Sequence, residues 1–315
     1  MLDPRYIAQA RLLLRCLTQL EKHPCFALKG GTALNLFVHD LPRISVDIDL
    51  TYLPLRPREE SLEEISSELQ AFGCDISNHI PQISIREQRI SERVVKLTVM
   101  TLEAAIKIEP NLVLRGSVYP PESRPVCEAA QGAFEAFARV RCLAQADLYG
   151  GKLCAALDRQ HPRDLFDVKL LLEGDGITPE IRRAFVIYLA GHNRPMNELL
   201  CPNLKEISEA FQTQFVGMTK EPITLVDLVE IQRRLPKELV SQLDEDERAF
   251  LLSMKRGEPD WTRLGFDHLE QLPALQWKLR NIRKMDPAKH REMLERLERI
   301  LAHQVTRSAI RREST

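Results

Sequence analysis

Ile44-Ser45-Val46-Asp47-Ile48-Asp49-Leu50, residues 44–50, reads as a strand in which apolar and polar residues alternate. Successive side chains of a strand point to opposite faces, so Val46, Ile48 and Leu50 are expected in the core. Ser45, Asp47, Asp49 and Thr51 then share the other face. The two carboxylates stand side by side, roughly 6–7 Å apart at their Cα atoms. Like charges that close repel unless something positive lies between them, and a divalent cation that takes oxygen ligands, such as Mg²⁺, meets that need. Shortly before lies Lys29-Gly30-Gly31-Thr32-Ala33-Leu34. Its glycine pair lets a backbone come close to phosphates. The two segments together point to metal-dependent chemistry on a nucleotide.

Reading outward, Ile7, Ala10, Leu13, Leu14, Leu17 and Leu20 recur at helical spacing, and His23-Pro24 ends the pattern. A short strand is expected at Phe26–Leu28, a helical turn from Thr32 to His39, and a break at Asp40-Leu41-Pro42. Glu59–Phe72 is an amphipathic helix with Leu62, Ile65, Leu69 and Phe72 as its apolar stripe. Shorter strand-like segments follow around Ile83–Ile85, Val94–Thr101 and Ala105–Val113. From Phe134 onward helical periodicity takes over. Helices are expected over Ala138–Leu157, Leu165–Leu172, Arg182–Leu189, Leu204–Phe215, Leu225–Leu235, Glu245–Lys255 and Pro287–Ala302. The fold class is therefore α+β: a mixed-sheet core over residues 1–133, followed by an all-helical portion over 134–315 that contributes site residues. The residues after Arg307 are expected to fray.

Composition narrows the function. The 315 residues, 44% of them hydrophobic, are enough for a full core and about two domains. Lys and Arg number 44 against 45 acids, so any surface for nucleic acid must be local. The stretch from Gln276 to Thr315 has eleven Lys and Arg against five acids. Lys278, Arg280, Arg283 and Lys284 in it would suit an RNA backbone, although a solvated helix face is the more ordinary explanation of such a charge excess. Seven cysteines without a Cys-x-x-Cys pair read as cytosolic thiols and make zinc improbable. Neither an export signal nor a membrane-spanning run is present in this sequence. His23, His39 and His161 lack metal-ligand spacing and read as surface or capping residues. The glycine pair fits neither a Walker A loop nor a dinucleotide fingerprint, and there is no Gly-x-Ser-x-Gly elbow.

Two further groups carry chemistry. In Ile106-Lys107-Ile108-Glu109 the charged residues share one strand face, and Glu109 is the candidate third metal-binding acid. An ordinary charge pair of an edge strand fits the same residues. In the run from Gly150 to Asp167, Lys152 and Arg159 lie two helical turns apart and face the same way, a point charge and a fork suited to a triphosphate. Asp164 and Asp167 follow after Pro162. They read either as site acids or as a helix N-terminal acid plus a partner for Arg163 or Lys169.

Taken in order, Leu28–Leu34, Arg43–Leu50, Lys107-Ile108-Glu109 and Lys152–Asp167 resemble the nucleotidyltransferase-like AbiEii/AbiGii toxin family, a branch of the polymerase-β-like nucleotidyltransferase superfamily. The match runs discontinuously from about residue 28 to 170, and Trp277-Lys278-Leu279-Arg280-Asn281 looks like the family's C-terminal helical region. The resemblance implies a polymerase-β-like core with Gly30, Gly31 and Thr32 beside the nucleotide phosphates and Asp47 and Asp49 on Mg²⁺ or Mn²⁺. It also implies Lys152 on phosphate, Asp167 as a base or organiser of the acceptor, and Arg43, Ser45, Arg159, Arg163 and Asp164 in support. The serine common after the first glycine in the wider superfamily is replaced by Gly31, as is usual in the toxin branch, and Pro110 adjoins Glu109. Such proteins are toxins of type IV-like toxin–antitoxin pairs, and some relatives transfer nucleotides from NTP to the 3′ end of tRNA. The expected partners are thus RNA and a cognate antitoxin, in the cytoplasm. Two other readings fit the same residues: nucleotidyl transfer to a protein or small-molecule hydroxyl, and an inactive nucleotide-binding or antitoxin-binding module.

Overall fold

A computed structural model of the chain describes residues 3–302. Arg307, Arg311 and Arg312, and the expected fraying after Arg307, lie outside the described residues. The described residues pack as two compact units, one of residues 3–148 with Gln212–Ile223 and the other of Tyr149–Phe211 with residues 224–302.

The first unit opens with helix α1 (Pro4–Leu17), capped by the Asp3 carboxylate on the Arg5 N–H at 2.9 Å. Then come β1 (Phe26–Lys29), α2 (Gly30–Ala33) continuing into a π-helical turn (Leu34–Val38), β2 (Asp47–Tyr52), α3 (Arg58–His79), β3 (Ser84–Ile90), β4 (Arg93–Met100) and β5 (Ala105–Asn111). β6 (Glu122–Pro125), α4 (Glu128–Phe134), β7 (Arg139–Cys142) and the start of α5 (Gln145–Asp158) complete it. The seven strands form one mixed sheet in the order β3-β4-β5-β2-β1-β7-β6. β1 and β2 pair antiparallel, with Lys29 opposite Asp49, while β2 and β5 run parallel, with Asp47 opposite Lys107 and Asp49 opposite Glu109. Helix α3 covers one face of the sheet through Ile65, Leu69, Phe72 and Ile76, all buried.

Several expectations need correction. β7 lies beyond the expected core boundary at residue 133 and occupies the start of the helix expected over Ala138–Leu157. Its alternation, with Val140 and Cys142 buried and Arg139 exposed, pairs it with β6 and β1. β2 starts at Asp47, not Ile44. The preceding residues are drawn off into other bonds: the Ile44 N–H donates to the Met218 carbonyl at 2.8 Å, and Arg43 forms a lone bridge with Thr219. Ser45 is accordingly buried, Val46 only half-buried, and Tyr52 rather than Val46 completes the apolar set with Ile48 and Leu50. Thr51, expected on the open face, is buried as well. His23 is not a surface residue: it is buried against the α3 carboxylates, 2.8 Å from Glu68 and 3.3 Å from Asp75.

The second unit is helical, with the remainder of α5 followed by α6 (Pro162–Glu173), α7 (Pro179–Ala190), α8 (Met196–Leu200), α9 (Ser208–Gln214, ending in the first unit), α10 (Leu225–Gln242), α11 (Glu245–Arg256), α12 (Pro273–Arg283) and α13 (Pro287–Ala302). Reciprocal capping boxes, Thr224 with Asp227 and Asp244 with Glu247, start α10 and α11. α10 runs on through Pro236 because Leu235, Leu239 and Val240 continue its buried stripe. Among the described residues no helix is long and apolar enough to cross a membrane.

The two glycines of α5 differ in their surroundings. A Cβ on Gly150 would meet the backbone of Ala184 and Phe185 in α7 at 2.8 Å, whereas one on Gly151 would meet nothing within 4 Å. Gly150→Ala should therefore cost about 1–3 kcal/mol by overpacking, and Gly151→Ala should stabilise the helix by about 0.5–1 kcal/mol. Urea unfolding of the two variants checks the opposite signs.

Candidate active site

The glycine pair and the two aspartates meet at the junction of β1, α2 and β2. β1 delivers Lys29 opposite Asp49, and the chain then turns at Gly30, whose φ of +72° is open to glycine but costly for other residues. A Cβ on Gly30 would lie 2.5 Å from Asp49 Oδ2, so the Asp49 carboxylate rests against the bare backbone of that turn. At Gly31 a Cβ would lie 2.6 Å from Arg43 Nη2 and 3.1 Å from Ser45 Oγ. The Arg43 guanidinium thus fills the space that a serine here would need, which is a physical reason for glycine at this position. Arg43 is 2% exposed and donates to the Ile44 carbonyl at 3.0 Å.

Thr32 links the turn to β2. Its hydroxyl lies within hydrogen-bonding distance of the Asp47 carbonyl (2.5 Å) and of Ser45 Oγ (3.0 Å). Asn35 Nδ2 donates to the Gly31 carbonyl at 2.9 Å. Asn35 was not singled out in the sequence, although its i+4 spacing from Gly31 places it over the turn. Gly30, Gly31, Thr32, Arg43, Ser45, Asp47 and Asp49 are therefore brought together. Asp47 and Asp49 are half-buried, while Ile48 between them is fully buried.

Glu109 lies in register beside Asp49 on the same sheet face, as the alternation of buried Ile106 and Ile108 requires. β5 continues through Pro110 because its pairing with β4 ends at Ile108, so the missing N–H forfeits no bond on that side. The Glu109 carboxylate pairs with Lys96 of β4, a partner the sequence did not single out. Among the described residues no group of three or more His, Cys, Asp or Glu side chains converges in a metal-binding cluster. Two aspartates suit Mg²⁺ nonetheless, since that ion is commonly bound by one or two carboxylates plus substrate phosphates. Asp47 and Asp49 on the open face of β2 provide that donor set.

In the second unit the cluster read from Lys152 to Asp167 forms a buried ion network. Lys152 Nζ lies 2.8 Å from Asp164 Oδ1 and 2.9 Å from Asp167 Oδ2, and the three side chains are 6%, 0% and 2% exposed. Arg159 forks onto Asp164, its Nη2 2.9 Å from Oδ1 and its Nε on Oδ2. Two cations thus balance two carboxylates, which is what burial of charge demands. Asp167 is paired with Lys152 here, while Lys169 pairs with Glu173. His161 caps α6, its Nδ1 accepting from the Arg163 N–H at 3.2 Å, and Gln160 turns the chain at φ +52°. Of the basic residues near the C-terminus, Lys278 is not directed to solvent. It donates to the carbonyls of His192 (2.6 Å) and Arg194 (2.8 Å), and burial, helped by Lys255, pushes its pKa down to about 8. Arg280 and Lys284 remain exposed.

Burial alone would raise the Asp164 pKa, but the charge of Lys152 and the hydrogen bonds of Arg159 outweigh it and hold the carboxyl well below the usual range. With a folded-state pKa below the unfolded value of about 3.9, the network contributes fully above about pH 5 and is lost as pH falls below that. Asp164→Asn should cost about 3–5 kcal/mol at pH 7 and flatten the acid limb of stability. Urea unfolding at pH 7, 5, 4 and 3 measures both, and parallel pH slopes in wild type and variant would remove Asp164 as the titrating group.

Comparison with known proteins agrees with this architecture. Residues 11–281 match the profile of the family described as "Nucleotidyl transferase AbiEii toxin, Type IV TA system". Among solved structures the fold is similar to that of MenT4, a nucleotidyltransferase toxin from Mycobacterium tuberculosis H37Rv, with a TM-score of 0.56 and 19% identity over 88% of this chain and 92% of that one. A sequence comparison with curated proteins gives no match. With most of its length inside the family profile, and the glycine turn and Asp-x-Asp strand assembled on the mixed sheet, the chain belongs to the AbiEii nucleotidyltransferase toxin family of type IV toxin–antitoxin systems.

Proposed function

We propose that this nucleotidyltransferase transfers a nucleotide from NTP to the 3′-hydroxyl of an RNA, the acceptor end of tRNA, and so blocks translation. The observation that carries the reading is the Asp49 carboxylate set against the Gly30 turn, two residues from Asp47 on the same strand face. In the reaction the RNA 3′-oxygen attacks the α-phosphorus, the bond to the β-phosphate oxygen breaks, and pyrophosphate leaves. The hydroxyl proton passes to a base. A divalent cation, when bound, lends positive charge to the phosphates and lowers the pKa of the attacking hydroxyl.

Each residue group has a distinct part in this reading. Asp47 and Asp49 hold Mg²⁺ or Mn²⁺. Gly30, Gly31 and Thr32 leave room for the phosphates, and buried Arg43 with Ser45 keeps the turn in shape. In the second unit Lys152 and Arg159 serve phosphate, Asp164 and Arg163 orient them, and Asp167 serves the acceptor. A phosphate that draws on Lys152 has to compete with Asp164 and Asp167 for its ammonium. Arg159 is also held by Asp164, but with 61% of its side chain exposed it is the more accessible of the two cations. Glu109 shares its carboxylate with Lys96, which offsets part of its charge toward a cation. Exposed Arg280, Arg283 and Lys284 provide phosphate contacts for RNA, which makes binding weaken as salt rises. A cytoplasmic location and a cognate antitoxin accompany this role.

The test is transfer of label from each of the four α-labelled NTPs to total RNA in Mg²⁺. A labelled band of tRNA size is expected, lost with EDTA and reduced more than about a hundredfold in Asp49→Asn, beyond what outer-shell partners of a metal site cost. Label on protein or on a small molecule instead would overturn the RNA acceptor. Toxicity unchanged in Asp47→Asn and Asp49→Asn would overturn the enzymatic basis of toxicity.

A further inference from the structure

The loop after β5 carries an arginine in an unusual setting. Asn111, the last residue of β5, accepts the N–H groups of Val113 (2.9 Å) and Leu114 (2.8 Å) on its side-chain oxygen. The Arg115 N–H donates to the Val113 carbonyl at 3.1 Å, and Gly116, at φ +78°, donates to the Tyr52 carbonyl at 2.8 Å. Arg115 is thereby pinned beside the C-terminal end of β2, with 6% of its surface exposed. Its Nε and Nη1 are buried, and neither has a hydrogen-bond partner among the described residues. Burial pulls its pKa down and Arg58, another cation, pulls it further, while only the Tyr52 phenol acts the other way.

Arg58 opens α3, a 22-residue helix whose N-cap, Pro57, supplies no side-chain hydrogen bond. The first N–H groups of such a helix lack intrahelical acceptors and favour an anion. Glu60, in the same first turn, is exposed, and two other nearby acids are engaged. Glu64 takes Arg56 at 2.7 Å and the Tyr52 hydroxyl at 2.5 Å, and Glu59 takes Arg93 at 2.9 Å and Arg58 at 3.3 Å. A buried guanidinium without a counter-ion is strongly unfavourable, and an apolar or amide side chain of similar length would avoid that cost.

We propose that Arg115 and Arg58, at the uncapped start of α3, form a binding site for a phosphate-class oxyanion. Such an anion accepts from the unsatisfied guanidinium N–H groups and from the first N–H groups of the helix. The site is separate from the Asp47–Asp49 pair, because Tyr52 lies three residues beyond Asp49, roughly 10 Å along the strand. It does not depend on the reaction proposed above, and Asp49→Asn, which abolishes that reaction, leaves this binding in place. A free phosphate and an RNA phosphodiester offer the same chemistry, and the experiment separates them.

Thermal unfolding of the full chain is followed in phosphate-free buffer with added sodium phosphate, or with a short oligoribonucleotide lacking terminal phosphates, each against sodium chloride at equal ionic strength. Phosphate or the oligoribonucleotide is expected to raise the Tm of wild type and of Asp49→Asn, and whichever acts identifies the source. Arg115→Met should be at least as stable as wild type without the anion and bind it at least about tenfold more weakly, a loss of about 1.4 kcal/mol. Arg58→Gln, at an exposed position, should weaken binding about threefold. No anion-specific rise in wild type, or equal rises in wild type and both variants, overturns the proposal. Marked destabilisation of Arg115→Met in anion-free buffer also overturns it, since Arg115 would then have an internal partner.

Discussion

The register of β2 is the constraint on which the candidate site depends. Ile48, Leu50 and Tyr52 are fully buried, so a slip by one residue would carry Asp47 and Asp49 into the core and the apolar set into solvent. β1 locks that register on one side and β5 on the other, the first antiparallel and the second parallel. Hydrophobic burial therefore fixes where the two carboxylates stand, although neither takes part in it.

The turn beside them depends on close packing more than on backbone freedom. Gly30 needs its positive φ, but Gly31 does not, and at Gly31 the absent side chain makes room for the Arg43 guanidinium and the Ser45 hydroxyl. The segment that holds Arg43 in place comes from far along the chain, through Met218, Thr219 and Lys220. The site thus rests on residues outside any of its motifs. The second unit handles charge differently. Lys152, Asp164 and Asp167 are buried together, with exposed Arg159 on Asp164, and removing Lys152 leaves two buried carboxylates with only Arg159 to balance them. Arg115 in the first unit is the contrast, a buried cation beside another cation.

Much of this was legible in the sequence because it depends on neighbours a few residues apart. The alternation around Asp47 and Asp49 and the face shared by Lys107 and Glu109 follow from a period of two. The apolar stripe of α3 and the N-terminus of α6 after Pro162 follow from helical spacing and proline's fixed φ. β7 was missed because its four residues are too short for a periodic signal and adjoin a helical run that dominates the window.

By itself, then, the sequence determined the α+β class, the paired carboxylates on one strand face, the glycine turn and the helical character of the later residues. Local geometry alone decides these. The tertiary structure decided where β2 begins, that Lys152 is shared between Asp164 and Asp167, that Glu109 pairs with Lys96, and that Lys278 caps carbonyls rather than facing solvent. The physical reason is that a charged side chain takes whichever partner the packed chain brings within about 3 Å. That proximity is set by burial of distant apolar segments, which spacing along the chain does not encode.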